Sequence, residues 1–423
     1  MSTPRAATAL SISNARLRGK EGLSCIIIQD GIVKSIVSQE ETDVAVSRSY
    51  DAGGRLVIPQ LCENHIHLDY AHTVGAPRQN QSGTLFEAID IWRERKELGL
   101  NNHAEIKQQA LKAVRACVSH GVGYIRTHVD VTDPTLTALR ALLEVQRECR
   151  EWCEIQIVAF PQNGIYAYPD GEALMRQAME MGADVVGGIP HLEPTKEDGD
   201  KSVRFVFDLA EATGALVDIH CDEIDDEHSR FIDTMAAETT RRGMAGRVTV
   251  SHAVAMAYYS PGYLARLLPK LKASGVGFAI APRENLQLQG RDISAPVPRG
   301  VAPVRALVDQ GIRVGYSQDS ICDPWYPVGD GNPLRNLDTG LHVSHMLTPK
   351  YMSDCLDFVT YQPATNMGLQ DRYGIQEGKP ASLIVLDAEF DGEALRLLPR
   401  TLLSIHKGRE VFRQPAPSIA WAQ

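Results

Sequence analysis

His65 and His67 stand one residue apart in ENHIHLD (63–69), just past an apolar run at 56–61. In an extended chain alternate side chains share a face, so the two imidazoles point one way and Ile66 the other. Two imidazoles side by side at the carboxyl end of a strand are half of a metal site. Two unrelated surface histidines would be spelled the same way, and the chain has 13 His in 423 residues. The pair therefore gains weight only from what else ends nearby. His220, His252 and Asp319 each close a further apolar run. Zinc or ferrous iron accepts imidazole plus carboxylate and keeps one position open for water. The expected ligand set is His65, His67, His220 and Asp319 around one divalent ion, Zn or Fe(II). His252 lies near enough in strand order to contact the water. Glu223 follows His220 by three residues in HCDEIDDEHS, an offset that lets its carboxylate reach over the same mouth. Asp222, Asp225, Asp226 and Glu227 share that segment, so a solvated loop or a helix start is the competing explanation.

Those residues need a scaffold that ends many strands at one place. Strand-like runs at 56–67, 124–130, 155–162, 183–190, 216–220, 247–252, 276–282 and 312–319 alternate with helical periodicity. The helical stretches include 105–119, 135–151, 171–181, 202–213, 229–242, 261–273 and 303–310. Eight strand–helix units over about 265 residues predict an α/β fold, a (β/α)8 TIM-like barrel whose active site forms at the strands' carboxyl ends. The last residues of the runs are His65 and His67, His128 and Asp130, Gln162, Pro190-His191, His220, His252, Pro282 and Asp319. A doubly wound sheet ranks second, since no G-x-G-x-x-G or Walker pattern follows an early strand. At the ends of the chain, strands are expected at 9–17, 23–30, 32–38, 383–386, 402–405 and 410–412, with turns at Asp30-Gly31 and Lys407-Gly408. Both termini are thus expected to form one small β-sandwich domain, 1–54 with 370–423, interrupted by the barrel at 55–369.

Composition narrows the function. Hydrophobic residues make up 43% and charged residues 23%, ordinary for a globular enzyme. A net charge of −10 disfavours polyanionic partners, so neither nucleic acid nor an anionic membrane is expected. No apolar run approaches the ~20 residues of a membrane span, and the first 17 residues lack the basic start and apolar stretch of a signal peptide. Eight scattered cysteines without a C-x-x-C pair are expected to be reduced thiols in a cytoplasmic protein. Cys62, Cys221 and Cys322 neighbour the nominated residues and are taken as packing. The combination of H-x-E with P-C-x-x-C that a polynucleotide base editor requires is absent.

Beyond ENHIHLD, the stretches NQSGTLFEAI (80–89), RTHVDV (126–131), IQIVAFPQNGI (155–165), GADVVGGIPHLE (182–193), DIHCDEIDDEHSRF (218–231), VSHAVAM (250–256), LQLQGR (286–291) and DPWYPVG (323–329) carry a family likeness. The chain resembles the amidohydrolase superfamily and, within it, the bacterial cytosine deaminases, over nearly its whole length. The resemblance implies that His65, His67, His220 and Asp319 hold the metal. It implies that Glu223 shuttles protons, and that His252 orients and deprotonates the attacking water. Gln162 matches the glutamine that binds the amide edge of a pyrimidine. Leu85, in NQSGTLFEAI, and Trp325, in DPWYPVG, complete the substrate-binding candidates. Trp325 either caps the site or packs beneath the last loop. The implied reaction is hydrolytic deamination of a free pyrimidine base: water attacks C4 while Glu223 protonates N3 and then passes a proton to the leaving amine. The implied partner is a small nucleobase, and the implied assembly a homo-oligomer.

One departure is informative. The family's His-Asp-Asp is here Gln318-Asp319-Ser320. Ser320 replaces a carboxylate beside the amine and C5 edge of the ring, so one wall recedes. A C5 methyl then fits, which makes conversion of 5-methylcytosine to thymine an expected activity beside that of cytosine to uracil. A methyl-sized difference is worth only ~1–3 kcal/mol, so both bases should react. Gln318 removes no ligand but alters what orients one. Isocytosine, a pterin or an aminotriazine are alternative substrates. A metal-dependent nucleobase-binding protein without turnover is the non-enzymatic alternative, against which Glu223 argues. His128 and Asp130 either line the pocket, orient a metal histidine, or are hydrogen-bonded barrel residues.

Overall fold

Eight parallel strands run around a barrel in chain order: Leu61–Ile66, Val122–Asp130, Glu154–Phe160, Val185–Gly188, Leu216–Cys221, Val248–His252, Gly277–Ile280 and Arg313–Tyr316. The computed structural model describes residues 10–41, 48–291, 293 and 297–417. The strands are buried almost throughout, because helices cover the barrel outside and side chains fill it inside. The first and last strands meet through a parallel bridge between Ile66 and Asp319. There the His67 N–H donates to the Asp319 carbonyl, and the Asp319 N–H donates to the His65 carbonyl, each at 2.9 Å. The barrel is therefore closed by the backbone of three of the expected ligands.

Helices on the outside begin where polar caps satisfy their free N–H groups. Asn102 caps His103–Ser119, Thr195 caps Lys196–Thr213, and Ser260 caps Pro261–Ser274. The helix Leu85–Glu97 is not among the helical stretches expected from the sequence. Its start was legible after all: Thr84 and Glu87 are spaced as a capping box, and the Thr84 hydroxyl accepts the Glu87 N–H at 3.3 Å. No described helix is long and apolar enough to cross a membrane.

The strand expected over 56–67 is instead two. Val57–Pro59 pairs antiparallel with Leu383–Leu386 in a sheet built mostly from the C-terminal segment, and Leu61–Ile66 opens the barrel. The break sits at Gln60, directly after Pro59, which has no N–H to extend the ladder. Gln60 is fully buried. Its amide donates to the Ser404 hydroxyl at 2.9 Å and meets His406 Nδ1 at 2.8 Å, while its carbonyl accepts the Tyr373 hydroxyl at 2.6 Å. Gly123 is required beside it: a Cβ there would lie 2.0 Å from Gln60 Oε1.

The second terminal sheet runs in the order Ile32–Ser38, Ser24–Gln29, Leu10–Ala15, Arg48–Asp51. Both four-stranded sheets share one core, including Leu10, Ile12, Ile26, Val57, Leu383 and Ile405. Chain beginning and chain end thus build a β-sandwich at the side of the barrel. Residue 9 of the expected first strand, and the segment 1–9 in which no leader was expected, lie outside the described residues.

Candidate metal centre and substrate cavity

His65, His67, His220 and Asp319 leave three different strand ends, yet one ligand atom from each lies within 4.8 Å of all the others. Asp319 Oδ1 is 3.2 Å from His65 Nε2 and 3.5 Å from His67 Nε2, and His67 Nε2 is 3.1 Å from His220 Nε2. All four residues are buried. Burial holds the three imidazoles well below their ordinary pKa, so they are neutral, the form that binds metal. His65 Nε2 has no hydrogen-bond partner among the described residues. Three neutral ring nitrogens and one carboxylate oxygen aimed at a common point are a donor set that fits zinc or ferrous iron.

A second layer fixes one of these rings. His65 Nδ1 lies 2.8 Å from the Ser251 hydroxyl, and that hydroxyl donates to Asp218 Oδ1 at 2.6 Å. Since Ser251 spends its proton on Asp218, it accepts from Nδ1–H of His65, which leaves Nε2 as a lone pair facing the centre. Asp218 is in turn paired with Arg126 at 2.8 Å, both fully buried. The sequence reading did not find Ser251, although it stands in register beside His220.

Glu223 is buried, whereas Asp225, Asp226 and Glu227 are exposed. Asp222 is also buried, but it is used up at a helix start: its carboxylate accepts the N–H groups of Phe231 and Ile232 and the Ser229 hydroxyl. Of the acidic cluster, Glu223 faces inward beside the ligands. Burial, and after it the charge of Asp319, raises its carboxyl well above the usual range, the direction a proton carrier at neutral pH requires. His252 stands between the two, with Nδ1 3.5 Å from Glu223 and Nε2 3.7 Å from Asp319 Oδ2. Both His252 and Asp319 hold left-handed backbone, φ 67° and 68°, a conformation costly for such residues and concentrated at working sites.

A small cavity adjoins this cluster. Tyr70, Leu85, Ile89, Phe160 and Trp325 form its apolar lining, while Glu223, Glu284, Asp319 and Ser320 supply polar groups. Gln162 lines it as well. The Tyr70 ring stacks between His67, at 4.6 Å and 9°, and Trp325, at 4.8 Å and 12°. The Tyr70 hydroxyl donates to Gln162 Oε1 at 2.6 Å, which orients the amide so that its NH2 is the group left to donate. Leu85 and Trp325 belong to one apolar cluster with Tyr70 and Trp92, and both reach the cavity.

Residues 48–412 match the Amidohydrolase family. The chain belongs to that family. The amidohydrolase shares 49% identity and a TM-score of 0.94 with 5-methylcytosine deaminase from Klebsiella pneumoniae, solved with 5-fluorocytosine, over 97% of this chain and 99% of that one. It is 29% identical to N-isopropylammelide isopropyl amidohydrolase of Pseudomonas sp. (strain ADP), across 96% of this chain and 97% of the relative. It is 26% identical to a pterin deaminase of Rhizobium rhizogenes, across 92% and 87%. The family works with a divalent metal, and the His-rich cluster of this amidohydrolase is suited to hold one.

The remaining nominated residues support the site of this aminohydrolase from outside the cavity. The His128 ring lies against that of His65, tilted by 31° with ring centres 3.9 Å apart, and its Nε2 lies 3.4 Å from Asp218. Asp130 accepts Trp92 Nε1 and the Lys96 ammonium, each at 2.8 Å, and so anchors the helix whose Leu85 and Ile89 wall the cavity. Gln318 does not face a ligand. Its amide donates to the Ser320 carbonyl at 3.1 Å and accepts the Gly331 N–H at 3.3 Å, stapling the loop after the last strand. Glu63, missed from the sequence, accepts the backbone N–H groups of His65 and Gln318 at 3.1 and 3.0 Å. Burial raises its carboxyl to about 8. The signal was an acid inside an otherwise buried strand. All eight cysteines are free, and burial pushes the Cys62 and Cys221 thiols far up, which makes them inert packing groups.

Proposed function

We propose that this amidohydrolase deaminates free aminopyrimidine bases, 5-methylcytosine to thymine and cytosine to uracil, with release of ammonia. The observation that carries the reading is the make-up of one small cavity. Carboxylates and the ligand cluster supply its acidic groups, Gln162 supplies an amide donor, and flat apolar side chains wall it. A planar ring with an amine on one edge and a carbonyl on another matches those contacts. The 49% identical neighbour named as a 5-methylcytosine deaminase supports it.

A zinc or ferrous ion held by His65, His67, His220 and Asp319 supplies, when bound, a hydroxide nucleophile at neutral pH. The protein does the rest. Gln162 donates its amide N–H to the ring carbonyl at C2, held in place by Tyr70. Tyr70, Trp325 and Leu85 keep the ring flat and exclude water. Glu223 takes a proton from the attacking water and places it on N3. It then takes the remaining proton of the hydroxyl added at C4 and delivers it to the leaving amine, so that the C4–N bond breaks as the C4 carbonyl forms. His252, between Glu223 and Asp319, orients that water and takes part in its deprotonation.

Substrate choice rests on Ser320, whose hydroxyl ends where a carboxylate would fill the corner beside C5. A panel of cytosine, 5-methylcytosine, isocytosine, pterin and an aminotriazine, assayed for ammonia, tests the reading. The two cytosines are expected to be turned over best. Ser320→Asp should move the ratio of kcat/KM for 5-methylcytosine over cytosine toward cytosine by about tenfold or more, the value of one methyl in a tight pocket. A ratio that stays put contradicts the role given to Ser320. Faster turnover of pterin or the aminotriazine than of either cytosine contradicts the substrate class.

A further inference from the structure

We propose that Glu284 determines specificity in this site: it takes over the amine contact that Ser320 cannot make, from a position set back far enough to leave room at C5. This rests on the aminopyrimidine reading above and extends it to a residue that the sequence reading did not single out.

Glu284 lies in the helix Pro282–Leu288, directly after the seventh barrel strand, and is only 2% exposed. It lines the same cavity as Asp319, Ser320 and Glu223. Its Oε1 accepts the Ser320 hydroxyl at 3.0 Å. The Ser320 hydroxyl also bonds the buried Asp323 carboxyl, so its one proton is shared between two buried acids and the serine presents no donor to a substrate. The other oxygen, Oε2, is buried and has no hydrogen-bond partner among the described residues. A buried carboxyl oxygen without a partner is costly, so this one is open to a donor from the cavity. The adjacent Arg283 does not supply it. Its guanidinium is turned to Asp330, at 3.4 Å, and lies over the Tyr326 ring. Gly329 packs closely against the backbone of Ser320, where a Cβ would fall 1.9 Å from the Ser320 carbonyl oxygen. Serine and glutamate together therefore replace one nearer carboxylate with a more distant one. An exocyclic amine has the N–H that Oε2 lacks, and the space between Ser320 and the ring is what a C5 methyl occupies.

The test compares Glu284→Gln with two apolar variants, Glu284→Met and Glu284→Ala, in the metal-loaded enzyme. The ligands are cytosine, 5-methylcytosine and the amine-free analogue pyrimidin-2-one as a competitive inhibitor. The apolar variants should raise KM for both amino bases by about tenfold, the loss expected when a buried hydrogen bond to the substrate amine is removed. The inhibition constant of pyrimidin-2-one should change far less, because it brings no amine. Glu284→Gln, which keeps an acceptor oxygen, should lose less than either apolar variant. Adding Ser320→Asp to Glu284→Met should recover cytosine and not 5-methylcytosine. Unchanged kinetics in the apolar variants overturn the proposal, and so does an equal loss of pyrimidin-2-one binding, which would mark a merely structural role. A wild-type enzyme that releases no ammonia from either base overturns the reading beneath it instead.

Discussion

Glu223→Gln is expected to lower kcat/KM for both cytosines by about 10²–10⁴-fold, the range general acid–base groups contribute, while metal content stays at the wild-type level. Glu223 is buried beside the ligand cluster and in contact range of His252, but no ligand atom depends on it for position. Glutamine fills the same space and can still hydrogen-bond, yet it cannot take a proton from water and return it to nitrogen. The loss should therefore fall on kcat, with little change in KM. Metal analysis and steady-state kinetics on the same preparation decide the matter. Activity within tenfold of wild type, or a variant that no longer holds its metal, would contradict the role of proton shuttle.

Asp319→Ala should remove both the metal and the activity while leaving the barrel closed. The stitch between first and last strands uses the backbone of Asp319, His65 and His67 and not their side chains. Removing the carboxylate takes away the one charged member of the ligand set and leaves three neutral imidazoles facing each other. Chelation of the wild-type enzyme should give the same loss, reversed by zinc or ferrous iron, and a lower melting temperature, because an ion bound only by the folded state stabilises it by mass action. Circular dichroism, metal content and ammonia release are the readouts. A folded, metal-free Asp319→Ala protein is the expected outcome. A variant that keeps its metal would show that the cluster is not the binding site.

Much of this was legible before the structure. His65 and His67 announce a shared face by their spacing alone, and the alternation of strand and helix places His220, His252 and Asp319 at one end of a barrel. What the chain hides is contact between segments far apart in it. Ser251 matters because His65, 186 positions away, points at it, and nothing local to VSHAVAM says so. Glu284 was invisible for the same reason: its partner Ser320 lies 36 positions on. Gln60 looked like one residue of a continuous strand, and only its contacts with Ser404, His406 and Tyr373 show why the chain changes sheets there. The helix Leu85–Glu97 is a different kind of miss. Its capping pair, Thr84 and Glu87, stands in the sequence, but Asn80, Ser82 and Gly83 directly before it are turn formers that obscure the helix start.

The central claim is that one divalent ion, three imidazoles, a carboxylate and Glu223 together hydrolyse the C4–amine bond of a free base. The most direct measurement is ammonia and pyrimidine product counted together, from enzyme carrying one metal per chain, with 5-methylcytosine as substrate. Equal amounts of ammonia and thymine over many turnovers are predicted. A fully loaded enzyme that binds the base and releases neither would contradict the account.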